Sequence, residues 1–179
     1  MGLRNAKAYS KRYARAYTRT SKVKSKAYIK TVPHNKIVKC MMGNINGYQK
    51  GQLKLILRLI CKEDIQLRDN AIEACRQGIL KELDNNSVTN YYFAVRRYPH
   101  HILRENRMFS GGSKGERVNQ GMQQSFGSAV GRAAFVKEGE DIFLVAISDK
   151  KFLPIVRNAF RKVGPKLACA TKVSLEEKK

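Results

Sequence analysis

The sequence predicts an α+β fold: an antiparallel or mixed sheet packed with two helices, a basic N-terminal arm, and a long Gly/Arg-rich loop. Three observations carry this. Several short runs alternate apolar and polar residues, the period of strands. Two longer runs repeat apolar residues at three- and four-residue spacing, the period of amphipathic helices. With only two helices among these strands, and a hairpin joining two of them, an α+β layer fits better than repeated βαβ units.

From Met1 to about Val32 the chain is Lys, Arg, Ala, Ser, Thr and Tyr with few large aliphatics. Such a segment buries too little apolar surface to offset its ordering entropy, so it is expected to be an arm that orders on a partner. Tyr9, Tyr13 and Tyr17 recur every four residues among Lys7, Lys11, Arg12, Arg15 and Arg19. A helix would align these rings, and an extended arm would let them stack on exposed bases.

Pro33 opens the folded part. Lys36–Met42 predicts a short strand, and the NING stretch Gly43–Gly47 a turn. In Gln52–Ile60, QLKLILRLI, the residues Leu53, Leu55, Leu57 and Leu59 alternate onto one face, with Lys54 and Arg58 opposite. Asp64 is positioned to cap a helix running to about Leu83, whose stripe is Ile72, Cys75, Ile79 and Leu83, with Asn85 and Asn86 ending it. Tyr91–Arg97 predicts a strand that delivers the chain to Pro99. Ala133–Val136 and Ile142–Ser148, around the turn signal KEGED, predict a hairpin. Ser148 or Asp149 caps a second helix, Lys150–Val163, with Pro154 tolerated near its start and Phe152, Val156, Ala159, Phe160 and Val163 on one face. Gly164–Pro165 stops it, Leu167–Val173 predicts a last strand, and residues 174–179 a frayed tail.

Charge restricts the function. Thirty-six Lys and Arg stand against fourteen Asp and Glu, a formal charge of +22, and sixteen of the basic residues but no acid lie in residues 1–62. Such an excess repels itself unless a polyanion neutralises it, and nucleic acid is the leading candidate. A membrane surface fits less well, since no stretch approaches the ~18 apolar residues of a spanning helix. Cys40, Cys61, Cys75 and Cys169 are scattered without the short spacing of zinc sites and are expected to be reduced core thiols; no metal or cofactor is expected. No secretory signal precedes the charged start, so the cytoplasm is the expected compartment.

The stretch from about 98 to 132, YPHHILRENRMFSGGSKGERVNQGMQQSFGSAVGR, has no sustained apolar period. Six glycines and the cations Arg104, Arg107, Lys114, Arg117 and Arg132 suit close backbone approach to phosphates. It contains neither G-x-x-x-x-G-K-[ST] nor a strand-to-helix G-x-G-x-x-G. Paired carboxylates are missing. His100 or His101 is a candidate general base for an RNA-processing enzyme, but no nucleophile or third orienting group is identifiable beside them. A basic DNA-packaging protein is a further alternative.

The run RRYPHHILREN (Arg96–Asn106), then M-x-S-G (Met108–Gly111), G-E-R (Gly115–Arg117), Q-G-M (Gln120–Met122) and F-G (Phe126–Gly127), resembles the archaeal and eukaryotic large-subunit ribosomal proteins called L-ten-e, relatives of bacterial L-sixteen. Ile65–Gln77 resembles that family's first helix, and MGLRNAKAY with a later AYTR its N-terminus. The chain departs from the family pattern at Gln123, at Ser128–Ala129 and over Asn35–Leu53. The resemblance implies an α+β sandwich on large-subunit rRNA, near the base of the central protuberance. It also implies a loop reaching toward the peptidyl-transferase centre and tRNA acceptor ends, neighbouring ribosomal proteins as partners, and no catalysis.

The expected organisation is a basic RNA-binding arm (1–32), a single domain (33–173) with the inserted loop, and a tail (174–179). The basic strand face is expected to share in binding. Candidate RNA-binding residues are Arg4, Lys7, Lys11, Arg12, Arg15, Arg19, Lys22 and Lys24 in the arm. Arg96, Arg97, Arg104, Arg107, Lys114, Arg117 and Arg132 are the candidates around the loop, as phosphate clamps.

Overall fold

The structure, a computed structural model, describes residues 9–10, 29, 31–105 and 128–177. In chain order the elements are β1 (Met41–Gly43), α1 (Ile45–Gln49), β2 (Leu55–Cys61), β3 (Ile65–Arg68), α2 (Asp69–Asn85), β4 (Tyr91–Val95), β5 (His101–Glu105), β6 (Ser128–Val136), β7 (Asp141–Ile147), α3 (Leu153–Val163) and β8 (Thr171–Glu177). Single 3₁₀ turns, Lys150–Phe152 and Gly164–Lys166, flank α3. Five strands form one antiparallel sheet in the order β1-β4-β7-β2-β8, and three form a second in the order β3-β6-β5. The architecture is the expected α+β one, with antiparallel sheets and three helices.

Alternation decides which faces are buried. Leu55, Leu57, Leu59 and Cys61 of β2, Phe93 and Val95 of β4, and Phe143, Val145 and Ile147 of β7 point inward. They meet the helical stripes expected from spacing: Ile72, Cys75, Ile79 and Leu83 of α2, and Val156, Phe160 and Val163 of α3. Ile65, Leu67, Ala134 and Val136 of the smaller sheet join the same core. The two helices touch directly, with Cys75 Sγ 3.7 Å from the Val163 carbonyl and Lys162 Nζ 2.8 Å from a Glu82 carboxylate oxygen. All four cysteines are free thiols; Cys61 and Cys75 are buried, whereas Cys40 and Cys169 are only half-buried. Burial pushes the Cys75 thiol up to about 12, as suits a core thiol.

Several expectations are corrected. Within Lys36–Met42 only Met41 and Met42 are in regular strand, and the expected turn is instead a short helix. Asn44 caps it, its Oδ1 accepting from the Gly47 N–H at 2.7 Å. Gly43 precedes it at φ +83°, where an added Cβ would collide with the Tyr91 carbonyl oxygen. Leu53 does not share the inner face with the later leucines. It lies before β2 and packs on the outside of the larger sheet with Ile56, Tyr92, Ala94, Leu144, Ala146 and Tyr48. Tyr48 stacks on Tyr92 at 4.3 Å.

Asp64 caps no helix. The strand β3 intervenes and α2 begins at Asp69, while an Asp64 carboxylate oxygen accepts from the Glu138 N–H at 2.8 Å. The strands around KEGED do not form a hairpin: β6 pairs with β3 and β5, β7 with β2 and β4. The turn is real, with Gly139 at φ +81°, but it passes the chain between sheets and bonds to Cys61 on both sides. The loop is narrower than expected, because β5 and β6 pair across its root, Ile102 opposite Arg132 and Leu103 opposite Gly131. The last strand does not fray at Val173. It continues to Glu177, opposite Leu55, with Glu176 on Arg58 at 2.8 Å and Glu177 on Lys150 at 3.1 Å.

Candidate nucleic-acid interface

Of the fifteen candidate residues, the structure describes Arg96, Arg97, Arg104 and Arg132. The candidates Arg4, Lys7, Lys11, Arg12, Arg15, Arg19, Lys22, Lys24, Arg107, Lys114 and Arg117 lie outside the described residues. Of the four described, Arg104 and Arg132 lie on the β5–β6 pair that roots the loop, whereas Arg96 and Arg97 sit beside the acidic turn before β7, and the four differ in what their guanidinium groups do.

Arg96 and Arg97 leave the end of β4 beside the start of β7, held there by the Arg96 N–H donating to the Ile142 carbonyl at 2.9 Å. That register sets them against the acidic turn. Arg96 Nε lies 3.3 Å from Asp141 Oδ2, yet more than half its side chain stays exposed. Arg97 pairs with Glu140 at 3.2 Å and donates from Nε to the Asp141 carbonyl at 3.2 Å. Arg132, on β6, donates from Nε to the Pro33 carbonyl at 2.6 Å and from Nη1 to the Tyr98 hydroxyl at 3.4 Å. It thus ties the start of the folded part to the smaller sheet. Arg104 is 5% exposed, and burial pulls its pKa below the usual arginine value. A side chain in that position contributes to the root of the loop from inside, not as a surface clamp.

The basic strand face is also altered. Lys54 is exposed just before β2, but Arg58 is paired with Glu176. Tyr9, the first ring of the expected tyrosine row, is 3% exposed and packs on Leu103 and Ala133 of the smaller sheet. Gln66 holds this segment from both its groups: its N–H donates to the Ser10 carbonyl at 2.8 Å and its side-chain amide to the Tyr9 carbonyl at 2.6 Å. Tyr9 adopts φ +63°, a conformation rare for a large side chain and sustained here by burial and these bonds. Its ring is therefore unavailable for stacking on bases; Tyr13 and Tyr17 lie outside the described residues.

His101, the candidate general base, is 3% exposed with its ring 4.6 Å from Phe135. A phosphodiester cannot reach an imidazole so covered. His100 is exposed and rests on Tyr98 at 4.6 Å. Among the described residues no group of three or more His, Cys, Asp or Glu is placed to hold a metal ion, and no helix is long and apolar enough to cross a membrane. A cleft of about 560 Å³ opens between the 63–65 and 164–170 segments, but Glu63 and Asp64 in its wall make it a poor seat for phosphate.

One basic surface was not among the candidates, the outward side of α3. Arg157 and Arg161 are exposed there, one turn apart, and the signal lay in their i, i+4 spacing opposite the apolar stripe.

The model of the family described as ribosomal protein L16p/L10e matches residues 14–174. The large ribosomal subunit protein uL16 of Methanococcus maripaludis (strain C7) is 38% identical over 177 residues, covering 97% of this chain and 94% of the relative. Its counterparts in Archaeoglobus fulgidus and Sulfolobus acidocaldarius are each 36% identical, over 93% and 98% of this chain and 90% and 94% of the relatives.

Proposed function

The chain belongs to the L16p/L10e family of ribosomal proteins, as a structural component of the large subunit and not an enzyme, and on that footing we propose how it works there. It binds large-subunit rRNA chiefly through phosphate contacts from the arm and the loop, and the loop helps seat tRNA near the peptidyl-transferase centre. The near full-length similarity to archaeal uL16 proteins carries the proposal, since the matched span includes most of the arm and the whole loop. The charge of +22, concentrated in the first third, supplies the sequence-independent term of nucleic-acid binding. Segment 106–127 is carried between two strands paired in a three-stranded sheet, so its ends have a fixed root. Functional side chains held on a rigid scaffold through a loop are a common arrangement.

The test replaces Met108–Glu116 with a short Gly/Ser linker. The melting of the body should change little, because β5 and β6 remain paired and closure entropy varies slowly with loop length. Reconstituted subunits should contain the variant, scored by sedimentation, yet accommodate tRNA and form peptide bonds poorly. Normal peptide synthesis would reduce the loop to a connector. Failure to incorporate would make it a main rRNA anchor instead.

A further inference from the structure

We propose that the outward face of α3, carrying Arg157 and Arg161, is an rRNA phosphate-binding surface of the body, distinct from the arm and the loop. This rests on the rRNA-binding role proposed above. The other described arginines are buried or already engaged, and exposed lysines such as Lys54, Lys62 and Lys137 lack the planar arginine fork. Arg58, Arg96, Arg97, Lys150 and Lys162 each face a carboxylate at 2.8–3.3 Å, and Arg132 donates to a carbonyl and a tyrosine hydroxyl. Arg157 has no carboxylate partner among the described residues, and Arg161 bonds to the Asn158 side-chain oxygen, at 3.0 Å.

Their placement is fixed by packing. Val156, Ala159, Phe160 and Val163 bury one side of α3, which forces Arg157 and Arg161 to the solvent side, one above the other. Like charges at this spacing repel in the free helix, so the pair is favourable only when an anion lies across both. The helix dipole accounts for cations in the last turn, where Arg161 and Lys162 stand, but offers nothing to Arg157 in the second turn. Lys166, in the 3₁₀ turn that follows, reaches instead toward α2. Its ammonium lies 3.3 Å from where a Cβ on Gly78 would be, so the bare glycine backbone leaves room for it between the helices. Two guanidinium forks one helical turn apart suit successive phosphates of one strand. Phosphate contacts of this kind position the backbone and do not read bases.

The test uses full-length protein and deproteinised archaeal large-subunit rRNA, with affinity measured across a series of monovalent salt concentrations. Arg157→Gln/Arg161→Gln should make the slope of log affinity against log salt shallower by about 1.4–1.8, since each phosphate that a cation neutralises adds roughly 0.7–0.9 to it. Affinity at fixed salt should fall at least about tenfold. Melting should not fall, because both side chains are exposed and their mutual repulsion is removed. Lys62→Gln/Lys137→Gln removes the same charge beside the acidic turns and should leave the slope alone. An unchanged slope in the α3 variant, or an equal drop in both variants, overturns the assignment of this face. Loss of binding to poly-glutamate with rRNA binding intact would assign the face to an acidic protein and also overturn it. Wild-type protein that fails to bind the rRNA would instead bring down the broader proposal.

Discussion

Glu73 and Arg76 show how much of this protein's electrostatics is decided one residue at a time. Both are buried on α2, with Arg76 Nη2 2.6 Å from Glu73 Oε1 and Nε 2.7 Å from Oε2, a two-pronged pair. The hydrogen bonds from Arg76, aided by one from Gln77, hold the Glu73 carboxyl below its ordinary 4.5 despite the opposing effect of burial. A carboxylate whose folded pKa is lowered binds fewer protons folded than unfolded. Its stabilisation is therefore complete above 4.5 and is lost as pH falls through the lowered folded value. Asp69 runs the other way, because burial raises it against the hydrogen bonds from Asn70 and Lys36; its contribution is lost as pH rises through the folded value. Glu73→Gln should thus cost about 1–3 kcal/mol at neutral pH, leaving Arg76 buried beside a neutral partner. The difference from wild type should shrink below pH 4.5, as urea denaturation at a series of pH values would register. A difference that stays constant into acid would mean the pair is not ionised in the fold.

At the scale of elements, legibility followed the length of the repeat. The stripe of α2 spans Ile72 to Leu83 and that of α3 Val156 to Val163, long enough for a 3.6-residue period to declare itself, and both are buried as expected. IQLR in β3 is four residues long and runs straight into the helical pattern, so it read as helix. A turn also says nothing about which sheet each flanking strand joins, which is why Lys137–Glu140 suggested a hairpin that β6 and β7 do not make. The candidate site suffered from the same blindness to distance. Arg97 is visible as a cation, but its acceptor at Asp141 is 44 positions away, and only the β4–β7 pairing brings them together. Tyr9 was lost in a basic segment whose docking to Gln66 spans 57 positions. What was legible can be tested by mutation. Phe160, 1% exposed and central to the α3 stripe, should cost roughly 3–5 kcal/mol on replacement by Ala through lost burial and the cavity left behind. A shift below about 0.5 kcal/mol in chemical denaturation would mean that α3 does not hold this face against the core.

The whole molecule combines two opposite electrostatic regimes, and salt separates them. Within the described body cations and acids are matched in Arg58–Glu176, Arg96–Asp141, Arg97–Glu140, Lys150–Glu177 and Lys162–Glu82. These are partly exposed pairs, each worth at most about 1 kcal/mol, and screening weakens them only modestly. Against them stands a net charge of +22 on 179 residues, whose mutual repulsion acts across the molecule and is screened once the Debye length falls to about 8–10 Å. Repulsion involves many more charge pairs than the five attractions do, so relief of repulsion dominates. The free protein should therefore melt at a higher temperature as KCl rises from about 10 mM to 150 mM. Its affinity for large-subunit rRNA should fall steeply over the same range, because every phosphate contact releases counterions into a more concentrated bath. Calorimetry on free protein and filter binding on the complex would measure the two trends in one buffer series. A melting temperature that drops with KCl would mean that the internal ion pairs, and not the unbalanced cations, set the electrostatics of the fold. The positive charge would then be neutralised within the protein instead of being held ready for its polyanionic partner.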